Sequence, residues 1–210
     1  MPVQVLGPST FEAVEVETAA AEMLSTHEIG RAYEQQIDPT LLQRLRETPT
    51  AVWDSSERLT ATKVLHRVRP KHYFGILGEL DLTWSTAALP MGEVGEVRVI
   101  AIPEFTQLAP SRKVSELTRR LDAGGRTSDD RFSAKYRLMR PRFDPTAMKG
   151  RPMLVAEQPD GPYVEFEGLT RLCCIQSRSV QGSESSGGVD VLLGTGPGVR
   201  RWQPFYGVPA

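Results

Sequence analysis

The stretch GRPMLVAEQPDGPYVEFEGLTRLCCIQSR, from Gly150 to Arg178, restricts the fold more than any other part of the chain. An apolar run, a Pro-Asp-Gly-Pro turn and a second β-type run predict a hairpin. A glycine and a helical run, LTRLCCIQSR, follow at once. On YVEFE, side chains alternate between faces, so Tyr163, Glu165 and Glu167 share one and Val164 and Phe166 the other. The apolar face is expected to meet the core. The two carboxylates then stand at the C-terminal end of the strand, where open α/β sheets place their ligands.

That turn has the makings of a phosphate site. Gly168 removes a Cβ where a phosphate would approach the backbone. The helix starting at Leu169 or Thr170 offers N–H groups and the positive end of its dipole. Arg171, in the first turn, has the fork geometry for phosphate oxygens, and Glu167 is placed to hold Mg²⁺ or to act as a base toward water, with Glu165 in support. A plain salt bridge between Glu167 and Arg171 across the turn explains the same residues. On the residues alone the two readings stand even.

The rest of the chain divides by pattern. Residues 10–47 read as helical, with Thr10 capping FEAVEVETAAAEML and Asp38-Pro39 opening TLLQRLRE. From about residue 51, short β-branched and aromatic runs broken by Gly and Pro predict strands: AVW, KVLHRV, YFGILGELDLTW and EVRVIAI. RKVSELTRRLDAG reads as a helix with Ser111 near its start and Gly124-Gly125 as its stop. RTSDDRFSAKYRLMRPRFDP reads as basic helix and loop, SVQGSESSGG as a link and VDVLLG as a strand. The expected class is α/β (α+β): a small mixed-sheet module over residues 96–210 with a mainly helical N-terminal extension over 1–95. The extension is either separate or part of one continuous domain.

Charge is unevenly spread. The net charge is -1, yet residues 112–151 carry 12 basic side chains against 5 acids. Such a surplus is a footprint for phosphates, in a nucleotide or a nucleic acid, although a solvated helix with flanking loops explains a charge run as well. Arg131, Lys135, Arg137, Arg140 and Arg142 are the candidate nucleic-acid contacts, with Tyr136 or Phe143 available for stacking. Several classes drop out. There is no P-loop, no G-x-S-x-G and no H-E-x-x-H, and the only cysteines, Cys173 and Cys174, are adjacent, so no disulfide framework or cysteine metal set forms. No run approaches a membrane span and no signal peptide opens the chain. A reducing cytoplasm is the expected setting.

Pro152, Glu167, Gly168 and Arg171, in the order hairpin, E-G-x-x-R turn, helix, resemble the core of the ParB/sulfiredoxin-like superfamily. AIPEFTQLAPSRKVSELTRRLDAGG, with Pro103, Ser111 and Arg112, resembles the polar turn before that family's first helix. The resemblance covers about residues 98–195. It implies a small α/β fold that binds ATP or another NTP with Mg²⁺. Gly168, Thr170 and Arg171 would bind the nucleotide, with Ser111, Arg112 and Lys113 reaching in. Glu167, Arg171 and Glu165 would form the catalytic set and Glu167 the metal ligand.

Two branches of that family are set aside. Sulfiredoxins have Cys and His where this chain has Leu169 and Thr170. Partition-type ParB proteins continue into a helix-turn-helix, and only about fifteen residues follow Gly194 here, too few for one. What remains is similar to the plasmid fertility-inhibition (oncogenic-suppressive) type. Those are small cytoplasmic ATPases and DNases that block export of transferred DNA. The expected partners are a nucleotide, DNA and a conjugation or secretion component. The alternatives are a non-catalytic inhibitor or adaptor, and a small-molecule kinase of the same fold.

Overall fold

The last described strand lies in the middle of the sheet. The structure is a computed structural model that describes residues 12–14, 40, 82–128, 130–148, 150–180 and 187–201. Five strands form a mixed sheet: β1 (Glu12–Val14), β2 (Thr83–Pro90), β3 (Met153–Ala156), β4 (Val164–Glu167) and β5 (Gly188–Thr195), in the order β1-β2-β5-β3-β4. β5 pairs antiparallel with β2, from Thr83↔Thr195 to Pro90↔Gly188, and parallel with β3. The sheet therefore crosses residue 95, joining β2 on one side to β5 on the other. The α/β class expected from the alternation of strand and helix patterns is what the chain adopts.

The helices are α1 (Met91–Val94), α2 (Pro103–Thr106), α3 (Val114–Asp122), α4 (Arg131–Met139) and α5 (Leu169–Val180). α3, α4 and α5 pack on one another. α3 buries Val114, Leu117, Thr118 and Leu121, residues spaced by three and four, so one stripe of the helix meets the core. α5 buries seven of its twelve residues, among them Leu172, Cys173, Cys174 and Ile175. On the sheet, the Trp84 indole lies across Gly194, where an added Cβ would come within 2.9 Å of the ring. Phe166 meets the same ring edge-on, with centroids 6.3 Å apart. Among the described residues, no helix is long and apolar enough to cross a membrane.

Three expectations are corrected. FEAVEVETAAAEML reads as a helix, yet Glu12–Val14 is a strand paired with Trp84–Thr86. Pairing with β2 sets the conformation of these three residues, a long-range contact that overrides their local helix propensity. Of the helices expected within residues 15–47, Thr40 is helical and the remainder lies outside the described residues, as do the expected runs at 51–81. EVRVIAI forms no named strand: Arg98 bridges Val164 in parallel and Lys113 antiparallel, one bridge on each side. Ser179 and Val180, expected in the link, belong to α5, and residues 181–186 lie outside the described residues.

Candidate functional site

The β3–β4 hairpin forms as its sequence dictates, but a β-bulge changes what it presents. Met153 pairs with Glu167 and Leu154 with Glu165, so Phe166 is the extra residue on β4. A bulge bends its strand and re-aims side chains. The expected face shared by Tyr163, Glu165 and Glu167 is therefore not a solvent face. Tyr163 and Glu165 are buried and Glu167 is half-buried.

Glu165 is the most perturbed group of the turn. Its carboxylate Oε1 accepts the Leu169 N–H, the first of α5, at 3.2 Å. Burial pushes its pKa up to about 8, and the nearby Glu167 charge adds to the rise. The Leu169 N–H, Arg171 and Lys135 oppose it. Cys173 of α5 feels the same carboxylate. Glu165 thus faces the helical layer, with Lys135 of α4 and the start of α5 around it, while Phe166 faces Trp84. The first donor of α5, read in sequence as a phosphate donor, is held by the chain's own carboxylate.

Gly168 carries a φ of 99°, a conformation that side-chain-bearing residues rarely adopt. Arg171 folds back over it: a Cβ at Gly168 would lie 2.9 Å from Arg171 Nη2 and 3.1 Å from Pro152 Cα. The turn therefore gathers Glu165, Glu167, Gly168, Arg171 and Lys135. Thr170, expected at a nucleotide, is buried at 4% exposure.

The Ser111–Lys113 turn reaches the same side of the sheet through the Val97–Val99 segment. Arg98 N–H donates to Tyr163 O and Arg98 O accepts the Glu165 N–H, while Val99 N–H donates to Arg112 O. Two strand spacings, about 10 Å, thus separate Arg112 from β4. Arg112 is itself unusual, with φ of 60° and its Nε donating to Val99 O at 3.1 Å. Burial, together with the Arg98 guanidinium, lowers its pKa. Ser111 N–H donates to Glu116 Oε2 at 2.8 Å, and Lys113 Nζ binds Glu96 at 2.7 Å.

The basic stretch divides once folded. Arg140 Nε lies 2.8 Å from Ser177 Oγ and 3.0 Å from Asp122 Oδ1. Ser177 and Tyr136 hydroxyls donate to the same Asp122 carboxylate at 2.9 Å and 2.7 Å. Burial, with Asp122 beside it, raises the Tyr136 pKa. This network joins α3, α4 and α5, and holds Arg140 half-buried. Arg137 pairs with Asp130 at 3.1 Å, Arg131 and Arg142 are exposed, and Lys135 belongs to the surroundings of Glu165. The stacking role expected of Tyr136 or Phe143 is corrected, because they are 1% and 7% exposed.

Sequence reasoning missed the Asp122 network and the electrostatic influence of Lys135 on Glu165. Both depend on how three helices pack, and no local pattern announces them. Burial raises the thiols of Cys173 and Cys174, the latter to about 12, which keeps them protonated and unreactive. Among the described residues, no group of three His, Cys, Asp or Glu is arranged to hold a metal ion by itself. No family model, curated protein or solved structure matches the chain.

Proposed function

We propose that the Gly168 turn binds the phosphates of a nucleotide, ATP or another NTP, and hydrolyses it with Mg²⁺ in the cytoplasm. The observation that carries this reading is the Arg171 guanidinium folded over the Cβ-less Gly168, next to half-buried Glu167. Arg171 neutralises phosphate charge and Glu167 positions the ion or the attacking water. Mg²⁺ is commonly held by one or two carboxylates together with substrate phosphates. A single Glu167 fits that mode without a dedicated protein cage. Ser111, Arg112 and Lys113 approach from the neighbouring edge. Glu165 acts as a positioning residue, since its carboxyl fixes the start of α5.

Phosphate release from ATP and from CTP with Mg²⁺ tests this, with and without DNA. The expected result is turnover in the wild type and a drop of about 10²–10³-fold in Arg171→Ala, the usual scale for removing one transition-state charge contact. Glu167→Ala is expected to fail likewise while remaining folded. Absence of both nucleotide binding and turnover refutes the proposal.

A second reading has its own observation. The Leu169 N–H is taken by Glu165 and Thr170 is buried, so the turn is also a self-sufficient helix start. The protein is then a non-catalytic inhibitor or adaptor of DNA transfer, and partner binding survives Arg171→Ala.

A further inference from the structure

We infer that the corner where α3 runs into α4 docks the phosphate backbone of a nucleic-acid duplex, through Arg119, Arg120, Arg126 and Arg137. These side chains are 73%, 54%, 69% and 40% exposed. Among the described residues, their facing acids are Glu116 and Asp130. Glu116 is 17% exposed and touches Arg119 and Arg120 only at 3.8 and 3.9 Å. The Ser111 hydroxyl and N–H already hold it, which lowers its pKa. Asp130 lies between Arg126 and Arg137, at 3.6 and 3.1 Å, and fixes the two guanidinium groups relative to each other. Among the described residues, these four arginines less the two carboxylates leave a charge of +2.

The corner is continuous in space. Gly125 N–H donates to Arg120 O at 2.8 Å, so the chain carrying Arg126 lies against the end of α3. Four guanidinium groups, rather than ammonium groups, match phosphate oxygens with a planar fork.

The aromatic residues decide which nucleic acid fits. Single strands are held largely by stacking bases on exposed rings. Tyr136 and Phe143 are buried, and Phe132 is taken up edge-on against Phe105 at 5.1 Å. Among the described residues, the face has charge without a stacking platform. That combination suits a duplex, whose bases stay stacked and whose backbone alone is touched. This inference does not rest on the Gly168 turn.

Fluorescence anisotropy with a labelled 20-bp DNA duplex of arbitrary sequence tests it, across 50 to 200 mM NaCl. Four phosphate contacts predict a slope of about −3.6 in log affinity against log salt, hence about 150-fold weaker binding over that range. Arg119→Gln combined with Arg120→Gln is expected to flatten the slope by about 1.8, and Arg171→Ala to leave it unchanged. An Arg126→Gln variant, checked for folding by circular dichroism, gives an independent loss of about 0.9. The same titration on a 20-bp RNA duplex separates the two sources, the tighter-bound duplex being the one the corner serves. Absence of duplex binding, a slope the variants do not change, or tighter binding of the DNA single strand overturns the proposal.

Discussion

Glu165→Gln tests the environment of the turn most directly, because the amide keeps the shape and the acceptor for the Leu169 N–H but cannot ionise. The folded pKa of Glu165 is raised from 4.5 to about 8. An acid whose folded pKa is raised binds its proton more tightly in the folded state. Its contribution to stability is full below the unfolded value and is lost as pH climbs through the folded one. Between pH 5.5 and 7.5 the unfolded chain has already released this proton while the folded chain largely keeps it. Integrating the linkage over that window gives a loss of about 2.5 kcal/mol. Urea denaturation of wild type and variant at pH 5.5, 6.5 and 7.5 is the assay. The wild type is expected to lose about 2.5 kcal/mol more than Glu165→Gln across the window, since other titrating groups cancel in the difference. Parallel pH profiles refute the reasoning: Glu165 would then be charged in the folded protein at neutral pH, compensated by Lys135 and Arg171.

Gly168→Ala forces a side chain into φ of 99° and against Arg171 and Pro152. It is expected to cost about 1–3 kcal/mol in denaturant unfolding and to weaken nucleotide binding with Arg171 still present. An unaltered midpoint would rule out the strain. Tyr136→Phe removes the donor to Asp122 and is expected to cost about 1–2 kcal/mol without changing duplex affinity. Equal stability of variant and wild type would show that Ser177 and Arg140 satisfy Asp122 by themselves.

The legible parts of the fold were those written locally. The hairpin from Met153 to Glu167, the glycine stop and the helix after it follow from turn residues and periodicity within about thirty positions. Strand β2 was legible only at its start: the YFGILGELDLTW run stops at Trp84, whereas the strand continues through Ser85–Pro90. Those Thr, Ala and Leu residues take strand form because β5 pairs with them from a hundred or more positions away. At the site, sequence put Glu165, Glu167, Gly168 and Arg171 together, because they adjoin one turn. It did not show that Glu165 would be enclosed. That depends on the bulge at Phe166 and on the start of α5 closing over the carboxyl. Alternation along a strand names its two faces, but in an α/β sheet helices can cover the polar one. Likewise, a count of basic residues could not separate Arg140, held by Asp122, from Arg126, which faces water.

The central place of β5 also sets the order in which a growing chain can complete its sheet. During synthesis β1 and β2 emerge first, and the β3–β4 hairpin with α5 follows. Each of these pieces forms its local contacts early. Among the described strands, no pairing joins β2 to β3 until β5 fills the gap between them. Until then, two half-sheets carry open edges toward each other, the kind of edge that recruits stray strands from neighbouring chains. A stop codon just before Gly188 would remove one strand from the sequence, but two seams from the sheet.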